Sequence, residues 1–466
     1  MASNRLEQSL EDLESLIEII IKYRKGEVDY SKTEPFDSLY TLNNEYHEQC
    51  GTIVIGAEGA KLIHTIAVRH MPNDLRSNVP IGQFSDVLKQ QIFEQFVPVM
   101  KTIDKTFIQI AIDKSTTKLR RQLTEYTFYV PILFFSEFKA ESSPFEYGGM
   151  KVHHLNESFK YFDRIQSERQ RAKEFYQHFN AIVEVQVDGI NKKVAYSKAT
   201  RVIKAFLGVC KMLFPVSPSL LICPEDGLID RFSYNLHAEG DSAPYIDSSS
   251  TIGCAVREGW REDLLSDSTY YSIVSKVLQN HLRNESESVL ANRVVDALIT
   301  YHDAFNENNS YFRVVKLVSA VERVYSTKTT KTKTIKCKEC DSEIKIEGYL
   351  ATKSFIEKGS TLLRGIKEKP QSIQLGKKLR EYYGLRSEVL HGSFSFVEKN
   401  FPINTSELEE LVAEIIACST MFYFRNGIFK VTKDTELDSL YEKLSIYFDQ
   451  TIEKSDMEER SGPRFS

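Results

Sequence analysis

The stretch "YYGLRSEVLHGSF", residues 382–394, sets Arg386 and His391 five positions apart, with Gly392 directly after the histidine. Leu379, Tyr382, Leu385 and Val389 recur at helical spacing, which predicts a helix with those four as its buried stripe. Gly392 suits the left-handed residue that follows a helix. A helix turns about 100° per residue, so Arg386 and His391 are expected about 140° apart and ~7.5 Å along the axis. Arg386 then edges the stripe, while Tyr383, Ser387 and His391 share a flank.

The neighbouring sequence predicts more helices. "ESVLANRVVDALITYHDAF" places Leu290, Val294 and Leu298 at i, i+4 and i+8, followed by Tyr301. The polar turn "NENNS" leads into "YFRVVKLVSAVERVYS", with Val314, Leu317, Val318 and Val321 on one face. A Thr/Lys-rich insertion at about 327–370 precedes the helix that carries Arg386. "TSELEELVAEIIACSTMFYFRNG" reads as another, with Ser406 as N-cap, Glu409 at the capping-box position and Asn426-Gly427 as the stop. A last helix is expected over 435–453, and 456–466 as a frayed tail. Residues 286–455 are thus expected to form an all-α bundle of antiparallel helices.

Before about 285 the pattern is mixed, and the fold class expected for the whole chain is α+β. Residues 4–25 read as a helix, in which Leu6, Leu10, Leu13, Ile17 and Ile20 form a heptad-like stripe expected to pack on the chain's own body, the alternative being a partner helix in a dimer. "GTIVIG", "TFIQIAI" and "TEYTFYVPILFFSEF" read as strands. "AIVEVQVDGINKKVAYS" reads as a strand, a turn at Asp188-Gly189 and a return strand. Helices are expected at 157–178 and 199–213. His153 and His154 adjoin each other on a strand, so they point to opposite faces and are not expected to share a metal. No Gly-rich phosphate loop, HExxH or serine elbow occurs in this region.

Composition bounds the setting. The chain has 466 residues, 41% hydrophobic and 27% charged, as in a globular protein with two or three cores. Its longest apolar runs fall short of a membrane span, and its start lacks a signal-peptide layout. Seven mostly isolated cysteines do not make a disulfide framework, so a reducing cytoplasm is the expected compartment. Net charge is −5, which excludes a globally basic nucleic-acid binder. Yet Arg323–Arg386 holds 16 Lys and Arg against 7 Asp and Glu. Such a segment is either a solvated lysine-rich region or a contact for an anionic partner.

Arginine and histidine together suit phosphodiester chemistry. The guanidinium is a planar fork that stays charged and fits two phosphate oxygens. The imidazole exchanges its proton near neutral pH, so it can take one from a 2′-hydroxyl or give one to a leaving oxygen. One histidine is poorly placed to do both, and a dimer with two facing pairs removes that difficulty. The competing role is structural: both residue types are favoured near a helix C-terminus by the dipole alone.

"YGLRSEVLHG" resembles the Tyr-x-x-Arg-Ser-x-x-x-His-Gly signature of the ApeA-like HEPN family. "VVDALITYHDAFNENNSYFRVVKLVSAVERVYS" is similar to that family's first two helices, including Ala320 and Glu322. The resemblance spans about 288–450. It implies a helical domain, dimeric, acting as a metal-independent endoribonuclease of the kind found in prokaryotic toxins and antiphage systems. Arg386 and His391 would be the catalytic pair. Ser387 would orient His391, Glu322 would be an auxiliary or structural acid, and Tyr383 would pack or contact RNA. Lys377, Lys378 and Arg380, in the basic segment, would hold the RNA backbone. Residues 1–285 would sense a trigger, a ligand or a phage component, or restrain the nuclease. The family also includes members without nuclease activity, for which the domain is a dimerisation, partner-binding or RNA-binding module.

Cys337 and Cys340, in "TIKCKECDSEI", have the spacing of a zinc knuckle but no second pair nearby. Three readings stay open: plain thiols, a site completed by Cys210, Cys223, Cys254 or a histidine, or a structural zinc shared by two protomers. No cofactor is expected for catalysis.

Overall fold

The computed structural model describes the chain apart from residues 1, 26, 28–43, 48–50, 97–102, 136–137, 139–142, 157–173, 177–178, 214–222, 225–231, 238–244, 251–258, 267–269, 284–287, 328–330, 337–342, 349–350, 365–368, 393–404, 432–435 and 449–466. The protein is α+β and rich in helix, with a four-stranded sheet as its largest. By contacts it divides into two compact units, Met1–Tyr126 with Val187–Lys198, and Thr127–Gln186 with Ala199–Ser466. The boundary expected near 285 falls inside the second unit.

In the first unit, α1 (Ala2–Lys25) buries Leu13, Leu16 and Ile20, with Leu6, Leu10 and Ile17 partly covered, so the expected stripe does pack on the chain's own body. It packs on α2 (Gly56–His70) and, after α3 (Ile81–Phe96), on α4 (Lys105–Gln122); α3 itself packs on α2 and α4. The strands β1 (Asn44–His47) and β2 (Gly51–Val54) form a hairpin, as "GTIVIG" suggested for one of them.

"TFIQIAI" is not a strand but the first half of α4. Asp104 accepts from Phe107 N at 2.9 Å and nucleates the helix. Phe107, Ile108, Ala111, Ile112, Ser115, Thr116 and Leu119 then share one buried face. The local β-branched content loses to the cap and to the 3.6-residue period.

The second unit opens with β3 (Thr124–Ile132), most of which lies in it, followed by β4 (Phe145–Tyr147), β5 (Met150–His154) and β6 (Ala181–Gly189). They are ordered β3-β6-β5-β4, with β4–β5 and β5–β6 antiparallel. The return strand expected after Asp188-Gly189 does not form. Asn191 accepts from Val194 N at 3.0 Å instead, starting α5 (Lys192–Leu213), which contains the helix expected at 199–213. His153 is buried with Nε2 2.9 Å from Glu184, whereas His154 is partly exposed, as opposite faces require. Of the helix expected at 157–178 only residues 174–176 are described, and they are helical. Phe134, Phe138, Phe145, Phe206 and the single tryptophan, Trp260, pack as one aromatic group, with Phe134 5.7 Å from Trp260.

The bundle belongs to this unit as well. It contains α6 (Trp260–Leu265), α7 (Tyr270–Leu282), α8 (Val289–Phe305), capped by Ser288, and α9 (Ser310–Tyr325), capped by Asn309. Leu290, Val294, Leu298 and Tyr301 of α8, and Val314, Leu317, Val318 and Val321 of α9, are all buried, as their spacing predicts. A Cβ at Gly208 of α5 would meet the Leu298 carbonyl oxygen at 2.4 Å, so only glycine lets that helix lie against α8.

The polar insertion is more structured than its composition suggests. It holds a hairpin of β7 (Lys331–Lys336) and β8 (Glu343–Gly348), then α10 (Ala351–Arg364), whose Phe355, Leu362 and Leu363 are buried. α11 (Lys369–Leu390), α12 (Thr405–Arg425) and a helix over 436–448, α13, complete the bundle. Ser406 lies inside the first turn of α12 and not at its cap, and Glu409 pairs with Arg313 at 3.4 Å instead of closing a capping box. Gly427 takes φ +86 and ends α12 where Asn-Gly predicted.

Candidate functional site

The site is built on α9 and α11. The face that α11 turns inward runs through Ser372, Gly376, Leu379 and Tyr383, all buried, at steps of four, three and four residues. The next step of three lands on Arg386. Tyr383 is therefore part of the buried face and Tyr382 is not, a correction to the expected stripe. Arg386, partly exposed, follows at the edge of that face and turns toward α9.

What receives it is Glu322 of α9. Arg386 Nη2 donates to Glu322 Oε2 at 3.0 Å, and both side chains keep about a fifth of their surface exposed. Tyr383 completes the arrangement. Its ring lies 5.7 Å below the guanidinium, and its hydroxyl hydrogen-bonds Glu322. Phe355 of α10 stands 4.7 Å from that ring and holds it in place. Burial raises the Glu322 carboxyl above the usual carboxylate range, against the opposing pull of Arg386 and the Tyr383 hydroxyl. Arg386 Nε is buried and has no hydrogen-bond partner among the described residues. The guanidinium is thus anchored through one nitrogen, with donor capacity left over.

His391 is differently placed. It follows the last residue of α11, is exposed, and its backbone N–H donates to Ser387 O at 3.0 Å. Gly392 at φ +69 ends the helix there, as the sequence predicts. The imidazole makes no hydrogen bond among the described residues. Among the described residues the Ser387 hydroxyl makes no hydrogen bond to it, and the two residues meet through the backbone.

Of the cations expected to hold RNA, Lys377 and Arg380 are exposed on α11. Lys378 instead forms an ion pair with Glu407 of α12 and ties the two helices. Cys337 and Cys340 lie between β7 and β8 in the sequence, outside the described residues. Among the described residues no three His, Cys, Asp or Glu gather as a metal site, and no helix is long and apolar enough to cross a membrane.

Lys358 is a polar group that sequence reasoning missed. It is buried, with Nζ 2.6 Å from Asp438 of α13, 3.0 Å from Tyr325 O and 3.2 Å from Thr327 Oγ1. A lysine one turn after Phe355 in an amphipathic helix gave no hint of burial. The place of Arg386 at the edge of the buried face, by contrast, is legible in the spacing 372, 376, 379, 383.

Comparison with protein-family models, with curated proteins and with solved structures gives no match for the chain.

Proposed function

We propose that the chain is a metal-independent endoribonuclease of the HEPN type, a toxin-like or antiphage effector working as a dimer whose site combines two Arg386/His391 pairs. The observation that carries this reading is the division of labour along α11. Arg386 is fixed by Glu322 and Tyr383 yet keeps unused donors, and His391 stands in solvent at the end of the same helix. A fixed cation and an accessible titrating ring are what cleavage by an internal hydroxyl requires.

In that reaction one imidazole takes the proton from the ribose 2′-hydroxyl. The 2′-oxygen attacks phosphorus, and the bond from phosphorus to the 5′-oxygen breaks. A second imidazole, from the other copy, gives its proton to that oxygen. Arg386 neutralises the charge on the non-bridging oxygens. The products are a 2′,3′-cyclic phosphate and a 5′-hydroxyl. Lys377 and Arg380 hold the backbone, so binding weakens as salt rises.

A second reading has its own support. The Arg386–Glu322 pair is also what a purely structural arginine would form, as in a non-catalytic dimerisation or RNA-binding module. Incubating purified protein with total RNA in EDTA separates the two. Cyclic-phosphate ends that persist in EDTA and vanish in His391→Ala support the nuclease. Cleavage that EDTA abolishes, or that His391→Ala leaves intact, refutes this mechanism.

A further inference from the structure

Three cations climb one face of α4. Lys114, Lys118 and Arg121 follow at i, i+4 and i+7, which keeps them within about 60° of one another and spreads them over about 10 Å of helix. With Gln91 of α3, and Thr117 and Gln122 of α4, they line a groove of about 560 Å³ in the first unit. That volume lies in the range of about 300–1,000 Å³ typical of small-ligand sites.

Nothing acidic neutralises these groups. Lys114 and Arg121 form no ion pair or hydrogen bond among the described residues, and Lys118 donates to a neutral amide, Gln90 Oε1, at 3.1 Å. Asp113 is the one carboxylate among the lining residues, and Gln109 Nε2 already donates to it at 2.9 Å. Three other cations of the same unit do have carboxylate partners. Arg120 is held by both oxygens of Asp74, Lys105 by Glu7, and Arg69 by Asp12. Inside the groove the one lining carboxylate, Asp113, pairs with an amide and not with a cation.

We propose that this groove binds a small ligand carrying several linked phosphate groups. Two ammonium groups and a guanidinium fork in a row match a chain of phosphate oxygens, and Gln122 and Thr117 add neutral hydrogen bonds, whereas Gln91 already donates to Glu94 at 2.7 Å. Among the described residues no aromatic ring lines the groove, so a base has nothing there to stack on and recognition runs through the phosphates. The same lack argues against single-stranded RNA, whose binding sites pair cations with stacking platforms. The inference stands whether or not Arg386 and His391 cut RNA.

Calorimetry on the full chain with inorganic triphosphate tests it. The expected result is one site per chain, with inorganic monophosphate far weaker. Lys114→Gln/Arg121→Gln should weaken triphosphate by about tenfold or more. Lys61→Gln, which removes one positive charge at an exposed position on α2, should leave binding as it was. All three substituted side chains are exposed, so the variants should fold. No triphosphate binding, or equal loss in Lys61→Gln, overturns the proposal. So does a 5′-hydroxyl oligoribonucleotide that displaces triphosphate at equal concentration, since the groove would then belong to RNA.

Discussion

Glu322 Oε2 lies 3.0 Å from Arg386 Nη2, across the packed faces of α9 and α11. The contact does two things at once. It gives a mostly buried carboxylate a counter-charge, and it fixes the guanidinium relative to the helix end that carries His391. Arg386 is therefore a structural residue even if it is a catalytic one, and its substitution alone does not tell the two roles apart.

A double-mutant cycle measures the first role. Arg386→Ala and Glu322→Ala should each lower unfolding stability by about 1–3 kcal/mol, because each leaves a desolvated partner behind. The double variant should lose clearly less than the sum, with a coupling of at least about 0.5 kcal/mol. Urea denaturation reads this directly, and strictly additive losses would show that the pair ties nothing together.

His391 measures the second role. Its side chain is exposed and makes no hydrogen bond among the described residues, so His391→Ala should change stability by no more than about 0.5 kcal/mol. RNA cleavage should nevertheless disappear. A thermal melt beside an RNA product gel checks both halves. Activity surviving in a normally folded His391→Ala protein would remove the imidazole from the chemistry.

The raised Glu322 carboxyl predicts a pH effect of definite sign. The folded state holds this proton more tightly than the unfolded state, whose carboxyl titrates near 4.5. Its contribution to stability is therefore fully present below that pH and is lost as pH rises through the higher folded value. Glu322→Gln cannot release the proton. The stability of the native protein relative to Glu322→Gln should fall as pH is raised across that window, and then level off. Denaturation at a series of pH values tests this; a difference that rises with pH would mean that Arg386 outweighs burial.

Much of the bundle was legible because its helices bury regular stripes. Leu290, Val294, Leu298 and Tyr301 are where a period of 3.6 puts them, and Gly392 and Gly427 stop their helices with positive φ. Misreadings arose where two local signals competed. "TFIQIAI" has strand-like residues, but Asp104 caps it into a helix, and Asp188-Gly189 looks like a hairpin turn until Asn191 starts α5. At the site, Arg386 and His391 were found by type and spacing. Tyr383, and not Tyr382, is the core residue one turn before Arg386, which the spacing of the stripe alone did not decide. That Glu322 faces Arg386 depends on how α9 meets α11, and a pairing of this kind is set by packing between elements and not by either segment alone.

Lys358 offers the last test, since its burial was invisible in the sequence. Its ammonium reaches Asp438, Thr327 Oγ1 and the Tyr325 carbonyl, and it lies 5.6 Å over the Tyr441 ring. It thus joins α10 of the insertion to α13 and to the end of α9. Lys358→Met keeps the volume but leaves Asp438 facing a site built for a cation, and should cost about 2–4 kcal/mol. Asp438→Leu should be of similar severity for the reciprocal reason. The double variant should recover a substantial part of the loss, because removing both charges removes the desolvation of both. Recovery stays incomplete, since Thr327 Oγ1 loses the carboxylate it contacts at 2.9 Å and 3.1 Å. Guanidinium unfolding of the four proteins decides the matter. If the single variants are as stable as the native protein, the insertion helix is not anchored through this lysine.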